Sequence, residues 1–304
     1  MDVLLIIGGS GLLGSKIAAA GRDRYKVIGT YRSVAPEIDG VAFVELCKER
    51  VEEGLALVRK VKPAVVIDTA AFHNVDMAEE RRELAWQVNA GSTGSLARAA
   101  TDLGARYLFV STDFVFDGAK GHYAEDDVPR PVNHYGKTKL AGEEAVLAAS
   151  AGHIVVRPSV IYGWDDTRLN FATWVLTSLR AGQSINVVTD WIGSPTLADG
   201  LAACILQLLS LPDGGIYHLA GADAISRYEF AVRLAKAFGP DDTLIKPVRS
   251  ADLGMKARRP PDSSLTNNRA KRHRITVVAA SDGIKTMKAQ RSLESFVPPA
   301  RFKS

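Results

Sequence analysis

The sequence has little cysteine and no long apolar run, and each absence excludes a class of protein. Its 304 residues contain two cysteines, Cys47 and Cys204, which are too few for a secreted disulfide framework or a zinc knuckle. We expect both to be small apolar residues in a reducing compartment. The apolar run at residues 3–7 is too short for a signal peptide, and no stretch approaches the roughly 18 apolar residues of a membrane span. The sequence therefore predicts a cytoplasmic protein that is not a membrane protein.

The sequence also lacks the usual patterns of metal sites and serine hydrolases. The six histidines include no i,i+4 pair, so no metal site is predicted. A serine hydrolase usually carries a G-x-S-x-G elbow, and the nearest candidate, Ser10, lies in a glycine-rich turn after the first predicted strand. A chain of 304 residues with 46% hydrophobic residues can bury a large core without metal or disulfide. The composition thus indicates a globular protein.

Short apolar runs alternate with helical patterns through the first half, which is typical of repeated βαβ units. Several runs lack polar alternation, so helices should cover both faces of the sheet. The predicted strands lie at residues 3–7, 25–30, 41–44, 64–68, 106–110, 154–157, 185–188 and 216–219. The predicted helices include 76–102, 134–149, 167–181, 196–209 and 227–238. We predict an α/β protein: a Rossmann-type doubly wound parallel sheet over residues 1–157, with a smaller, partly interleaved substrate-binding region over 158–304.

The first predicted strand runs directly into a glycine-rich turn. Glycines at 8, 11 and 14 allow a tight turn, close approach of the backbone to a pyrophosphate, and close packing of helix on strand. The amides at the start of the following helix would face the phosphates. An ordinary strand-to-helix turn is the alternative, but the position on the first strand of a βαβ series favours a dinucleotide site. The predicted cofactor contacts here are Gly8, Ser10, Gly11, Leu12, Leu13 and Gly14.

The end of the second predicted strand bears on the choice of cofactor. An NAD site usually has an acidic residue there to hold the ribose hydroxyls. This chain has Arg32 and Ser33 instead, which suit a 2′-phosphate. The sequence therefore favours NADPH and leaves NADH open. The alternative is that Arg32 is a solvated loop cation with no role in cofactor binding.

A tyrosine and a lysine are spaced four apart on a predicted helix. Tyr135 and Lys139 would share one helical face, a common spacing that often means only a surface pair. The pKa of a tyrosine is about 10, so acid-base work near neutrality needs a neighbouring cation, and Lys139 is placed to lower it. The strand at 106–110 ends in Ser111, Thr112 and Asp113, at the sheet edge where ligands bind.

Together these motifs resemble the extended short-chain dehydrogenase/reductase superfamily. Within it, the blocks at 111–118, 123–127 and 131–143 resemble the dTDP-4-dehydrorhamnose reductase family, and the resemblance covers residues 3–265. That family reduces the 4-keto group of a dTDP-6-deoxyhexose with NADPH. The resemblance implies that Tyr135 donates the proton, that Thr112 hydrogen-bonds the developing oxyanion, and that Lys139 holds the nicotinamide ribose. It also implies cofactor contacts at Ala70, Ala71, Tyr135 and Lys139, and substrate contacts at Asp113, Phe114, Asn170 and Arg259.

Three departures from the family pattern leave the identity of the sugar open. Phe114 replaces a usual tyrosine, Val160 stands where many reductases have a tryptophan, and Met77 replaces a usual lysine. A sugar-nucleotide epimerase or dehydratase on the same scaffold is one alternative, ranked lower because dehydratases usually have a glutamate after the aspartate. The other is a binding protein, because the chain also resembles the regulatory β subunit of methionine adenosyltransferase. A homodimer is left open.

Positive charge is concentrated at the C-terminal end. Residues 256–304 carry twelve Lys and Arg against three acidic residues, a local net charge of +9, whereas residues 1–255 carry −5. We expect Arg258 and Arg259 to meet a substrate diphosphate. For Arg269, Lys271, Arg272 and Arg274 we expect a solvated face. No recognition motif accompanies the charge, so nucleic acid is not a predicted partner.

Overall fold

The computed structural model describes residues 1–299, and its centre is a seven-stranded, wholly parallel sheet. Its strands run in the order β3, β2, β1, β4, β5, β6, β11. They are β1 (Val3–Ile7), β2 (Lys26–Tyr31), β3 (Ala42–Glu45), β4 (Val65–Asp68), β5 (Arg106–Val110), β6 (Ile154–Arg157) and β11 (Gly215–His218). The chain starts in the middle of the sheet, moves outward to β3 and then crosses to β4. This reversal creates a switch point between β1 and β4, where open α/β sheets bind ligands. The predicted doubly wound sheet is confirmed.

Helices cover both faces of this sheet, as its apolar strands require. The helices of residues 1–299 are α1 (Leu12–Gly21), α2 (Val51–Val61), α3 (Val75–Glu80), α4 (Arg82–Trp86), α5 (Ser92–Asp102), α6 (His134–Ala149), α7 (Phe171–Arg180), α8 (Ala198–Leu208), α9 (Arg227–Phe238), α10 (Asn268–Arg272) and α11 (Ala280–Gln290). One core cluster joins α1 and α8 to the sheet, and Leu13, Ile17 and Leu201 are buried there. The second cluster joins α2, α5 and α6 to the opposite face.

The predicted single helix at 76–102 is wrong. Helix α3 ends at Glu80, because the next residue, Arg81, has a φ of −107° and a ψ of 54°, which are not helical. A π-helical turn (Gln87–Gly91) separates α4 from α5. The cause is tertiary: the Asn89 side chain accepts a hydrogen bond from Phe72 N (2.8 Å) and donates to Phe72 O (3.0 Å). It also donates to Thr138 Oγ1 at 2.9 Å, so the turn ties the loop after β4 to helix α6. Such π turns are frequent near functional sites.

The remaining strands form three small two-stranded sheets that bring distant loops together. They are β7 (Ile161–Tyr162) with β10 (Thr196–Leu197), β8 (Ile185–Val188) with β13 (Ile245–Val248), and β9 (Ile192–Gly193) with β12 (Ile225–Ser226). A separate core cluster lies between α7, α9 and α11 and contains Tyr162, Phe230 and Met287. Residues 300–304 of the predicted substrate region lie outside the described residues.

The basic stretch near α10 divides into two parts. Lys271, Arg272 and Arg274 are exposed, as expected. The expectation is wrong for Arg269, which is half-buried, donates to Ile216 O (3.0 Å) and lies over the Tyr217 ring. Carbonyl groups near the edge strand therefore hold this guanidinium. In residues 1–299, no helix has the length and apolar character needed to cross a membrane.

Candidate functional site

The glycine turn lies at the switch point of the sheet. Gly8 has a φ of +83°, a conformation that favours glycine, and its amide donates to Thr30 Oγ1 at 2.9 Å. A Cβ on Gly14 would lie 2.1 Å from Gly8 O, so only glycine allows α1 to approach this closely. No side chain caps the amides at the start of α1, and Gly11, the residue before it, is exposed. Open amides at a helix N-terminus, reached through a tight glycine turn, fit a dinucleotide phosphate.

The other predicted cofactor residues surround this turn in different ways. Ser10 and Leu12 are half-buried, whereas the Leu13 side chain is part of the core. Ala70 and Ala71 follow β4 and are half-buried; a Cβ on Gly8 would lie 2.8 Å from Ala70 N. The structure therefore brings the loops after β1 and β4 into direct contact.

Arg32 and Ser33 are exposed just after β2. The Arg32 guanidinium is 68% exposed and lies 3.0 Å from Glu49 Oε1. Surface ion pairs of this kind are weak. Arg32 can therefore leave Glu49 and bind a phosphate at this strand end. Selection of the 2′-phosphate stays a prediction.

The predicted tyrosine and lysine lie on α6, a helix that begins directly after the capping residue Asn133. Asn133 Oδ1 accepts a hydrogen bond from Gly136 N at 2.8 Å and fixes the start of the helix. The half-buried Tyr135 ring contacts the Phe114 ring edge-on, with centroids 6.1 Å apart. The side chains predicted for proton transfer and for the substrate thus meet at the carboxyl end of β5.

The pKa values of this pair differ from the simple expectation. Burial raises the pKa of Tyr135 to about 12, although the adjacent Thr112 hydroxyl lowers it and Asp113 raises it further. Lys139 Nζ donates to Val110 O at 2.7 Å and lies 3.9 Å from the centre of the Phe109 ring. Burial lowers the pKa of Lys139 to about 7, and Lys48 lowers it further. The expectation that Lys139 lowers the pKa of Tyr135 is therefore wrong for this structure: the phenol is held neutral.

A pocket opens beside Asp113, and we call it the Asp113 pocket. It is lined among others by Asp113, Phe114, Val160, Trp191, Arg227 and Arg259. The buried Asp113 carboxylate accepts hydrogen bonds from Ser159 Oγ at 2.8 Å and Ser263 Oγ at 2.5 Å. Burial raises the pKa of Asp113, and these hydroxyl groups counteract that effect.

Val160 forms one wall of this pocket with a strained backbone. Its φ of +47° lies in the left-handed region, which a β-branched residue rarely adopts. Its carbonyl accepts a hydrogen bond from Thr196 N at 3.0 Å, so the pairing of β7 with β10 maintains the conformation. Backbone strain of this kind concentrates at ligand sites.

Asn170 and Arg259, both predicted substrate contacts, also have structural partners. Asn170 caps α7: its side chain accepts from Thr173 N at 3.4 Å and donates to Gly163 O at 2.7 Å. Arg259 forms a two-pronged ion pair with Asp76, both N–O distances being 2.6 Å. This pairing lowers the pKa of Asp76 to about 2. Arg259 still lines the Asp113 pocket, so its contact with substrate stays a prediction, as does that of Asn170. Arg258 is exposed.

Sequence reasoning missed several polar groups of the site. Ser159 and Ser263 hold Asp113, Arg227 lines the same pocket, and Lys48 is bonded to Asp68 beneath the loop after β4. No local spacing links these residues, because each comes from a different segment of the chain. Within residues 1–299, His, Cys, Asp and Glu form no cluster of three or more suited to a metal ion.

A doubly wound parallel sheet with a glycine turn at its switch point, and a tyrosine and lysine on the neighbouring helix, defines a dinucleotide-binding fold of the short-chain dehydrogenase/reductase type. The chain belongs to the family of the RmlD substrate binding domain, whose model matches residues 1–291. The family predicted from the motifs is confirmed.

Two curated relatives and one solved structure show the range of similar proteins. The probable low-salt glycan biosynthesis reductase Agl14 of Haloferax volcanii is 35% identical over 86% of this chain and 88% of its own. The methionine adenosyltransferase 2 subunit beta of Xenopus laevis is 33% identical over 84% of this chain and 77% of its own. The dTDP-4-dehydrorhamnose reductase of Bacillus anthracis, solved in complex with NADP, superposes with a TM-score of 0.84 at 27% identity, covering 95% of this chain and 99% of that one.

Proposed function

We propose that this chain is an NADPH-dependent oxidoreductase that reduces the 4-keto group of a 4-keto-6-deoxy sugar nucleotide. The best single substrate candidate is dTDP-4-dehydrorhamnose. The observation that carries the proposal is the meeting of Thr112 and Tyr135 at the carboxyl end of β5, beside the Asp113 pocket that Phe114 lines. The reductases among the similar proteins support it.

The glycine turn and its neighbours would hold the cofactor. The amides at the start of α1 would bind the pyrophosphate, and Arg32 and Ser33 would bind the 2′-phosphate. Ala70 and Ala71, in the loop after β4, would also contact the cofactor. Lys139, buried beside Phe109, would hold the nicotinamide ribose. NADPH, when bound, supplies the hydride for the reduction.

Tyr135 would donate the proton to the 4-keto oxygen. A pKa of about 12 keeps the phenol protonated at neutral pH, so it is available as the acid in the direction of reduction. The Thr112 hydroxyl, which donates to Asp113 Oδ1 at 3.1 Å, would turn to the developing oxyanion. Asp113 would then lose the hydrogen bond from Thr112 but keep those from the Ser159 and Ser263 hydroxyls.

The test is turnover of NADPH with dTDP-4-dehydrorhamnose, followed by identification of the reduced sugar by NMR. Tyr135→Phe should lower kcat by about 10²–10⁴-fold, the usual contribution of a general acid, while NADPH still binds. Tyr25→Phe, at a half-buried tyrosine packed against the core beside β2, is the matched control and should keep full activity. An active Tyr135→Phe enzyme would contradict the assigned proton donor.

A second function is favoured by the similarity to the methionine adenosyltransferase 2 subunit beta of Xenopus laevis. In that case the chain would bind a dinucleotide and regulate a partner enzyme without turnover. Tight NADPH binding without reduction of several keto-sugar nucleotides would support this function. Co-purification with a methionine adenosyltransferase catalytic subunit, tested by size-exclusion chromatography, would then distinguish it from an enzyme with an untested substrate.

A further inference from the structure

Arg227 is a cation of the Asp113 pocket without a protein acceptor. It is the first residue of α9, and its backbone amide donates to Trp191 O at 3.0 Å. Its guanidinium carbon lies 4.9 Å from the centre of the Phe171 ring, so the side chain is fixed against an aromatic face. Among residues 1–299, neither a carboxylate nor a carbonyl group forms an ion pair or hydrogen bond with this guanidinium, and Asp113 acts on it only through space. Its donors are therefore available to a ligand.

The other charged groups of the pocket already have partners. Arg259 is neutralised by its two-pronged ion pair with Asp76. Asp113 accepts hydrogen bonds from Thr112, Ser159 and Ser263 hydroxyls. Burial lowers the pKa of Arg227 to about 10, which still leaves it charged at neutral pH. The Asp113 carboxylate acts on Arg227 through space, and each shifts the pKa of the other toward its charged form. It accepts none of the guanidinium N–H groups, so the hydrogen-bonding capacity of Arg227 is unused.

We propose that Arg227 binds an oxyanion of the sugar-nucleotide substrate within the Asp113 pocket, which rests on the proposed function. A planar guanidinium presents paired N–H groups that match a carboxylate or a phosphate, and a charged acceptor offsets the cost of a half-buried cation better than a neutral hydroxyl does. Two parts of a sugar nucleotide carry this chemistry. One is the diphosphate, which the proposed 6-deoxy substrate has. The other is a C6 carboxylate, as in a uronic acid, which the proposed 6-deoxy substrate lacks.

Arg233, on the same helix, provides the contrast. It forms ion pairs with Asp223 at 3.3 Å and Glu229 at 2.6 Å, and it does not line the pocket. Its charge is satisfied by the protein, whereas that of Arg227 is not. The two arginines of α9 therefore form a matched pair for substitution.

The experiment measures binding to the NADP⁺-loaded protein by isothermal titration calorimetry. The probes are UDP, UDP-glucose and UDP-glucuronate, together with dTDP-glucose to cover the other base. Arg227→Met should weaken binding by about tenfold to a hundredfold, the range expected when a charged hydrogen bond is lost. Arg227→Lys should recover only part of the affinity, because an ammonium group cannot form the paired contact. Arg233→Met should bind every probe as the unmodified protein does.

The pattern over the probes identifies the oxyanion. An equal loss for all four probes assigns Arg227 to the diphosphate and agrees with the proposed 6-deoxy substrate. A loss confined to UDP-glucuronate assigns it to a hexose carboxylate and overturns the 6-deoxy sugar of the proposed function. Unchanged affinities for Arg227→Met would overturn the inference and leave the proposed function intact. If the unmodified protein binds NADP⁺ but none of the probes, the proposed function itself is overturned. Should Arg227→Met fail to bind NADP⁺ or melt early, Arg227→Gln, of similar length and uncharged, takes its place.

Discussion

Lys48 Nζ lies 2.6 Å from Asp68 Oδ2, and the two side chains are only 5% and 0% exposed. Lys48 also donates to Ala70 O at 2.9 Å and Thr93 Oγ1 at 2.8 Å, which uses all three N–H groups of the ammonium. Asp68 accepts a further hydrogen bond from the Tyr107 hydroxyl at 2.8 Å. A fully bonded ion pair therefore supports the loop that carries Ala70, next to the glycine turn.

Removing one partner of this ion pair should lower the free energy of unfolding. Lys48→Met leaves the Asp68 carboxylate buried without its cation, and we expect the free energy of unfolding to fall by about 3–5 kcal/mol. Adding Asp68→Asn should recover part of this loss, since the amide is neutral and still accepts from Tyr107. Urea unfolding of the single and double variants measures both effects. If the double variant is less stable than Lys48→Met, the loss of stability does not arise from the buried charge of Asp68.

The sequence predicts features that depend on local pattern, and misses those that depend on the crossovers of the sheet. Apolar runs located the seven strands of the main sheet and β8 to within about one residue, but not the short strands β7, β9, β10, β12 and β13. The glycine turn and the helix of Tyr135 followed from short motifs. Asp113, Ser159 and Ser263 are far apart in the chain and meet only because β6 and the loop before α10 return to one sheet edge. Local helix preference likewise could not reveal the π turn, because Asn89 forms its hydrogen bonds with another loop.

Lys139 should make stability depend on pH above neutrality. Its pKa is about 7 in the folded protein and 10.5 when unperturbed. Between these values the unfolded chain binds the extra proton, so the contribution of Lys139 to the free energy of unfolding rises with pH, by at most about 1.4 kcal/mol per pH unit. The expected result is that the unmodified protein gains stability relative to Lys139→Met between pH 7 and 9, as measured by urea unfolding.

Lys137 provides the control for this pH dependence. It lies on the same helix, but it is exposed. Lys137→Met should therefore follow the unmodified protein at every pH. If the stability difference between Lys139→Met and the unmodified protein is the same at pH 7 and pH 9, the lowered pKa is wrong.

Arg32 should determine the preference for NADPH. Arg32→Ala removes the cation that would pair with the 2′-phosphate, so we expect NADPH affinity to fall by about tenfold or more while NADH affinity stays unchanged. Glu49→Gln, which removes the carboxylate 3.0 Å from Arg32, should have the opposite effect and tighten NADPH binding. Fluorescence titration with both cofactors measures the ratio. Equal losses for NADPH and NADH in Arg32→Ala would refute the assignment, and Arg50→Ala, at another exposed arginine paired with a glutamate, controls for general charge.

Arg259 should contribute to sugar-nucleotide binding from a position fixed by Asp76. Arg259→Lys cannot keep the two-pronged contact, so we expect sugar-nucleotide affinity to fall by about tenfold with NADPH affinity unchanged. Asp76→Asn should change affinity in the same direction, because it weakens the contact that orients the guanidinium. Lys256→Ala is the control: it breaks the neighbouring exposed pair with Glu80 and should leave affinity unchanged. Calorimetry with dTDP-glucose on the NADP⁺-loaded protein distinguishes these outcomes, and equal affinities for Arg259→Lys and Lys256→Ala would limit Arg259 to a structural role.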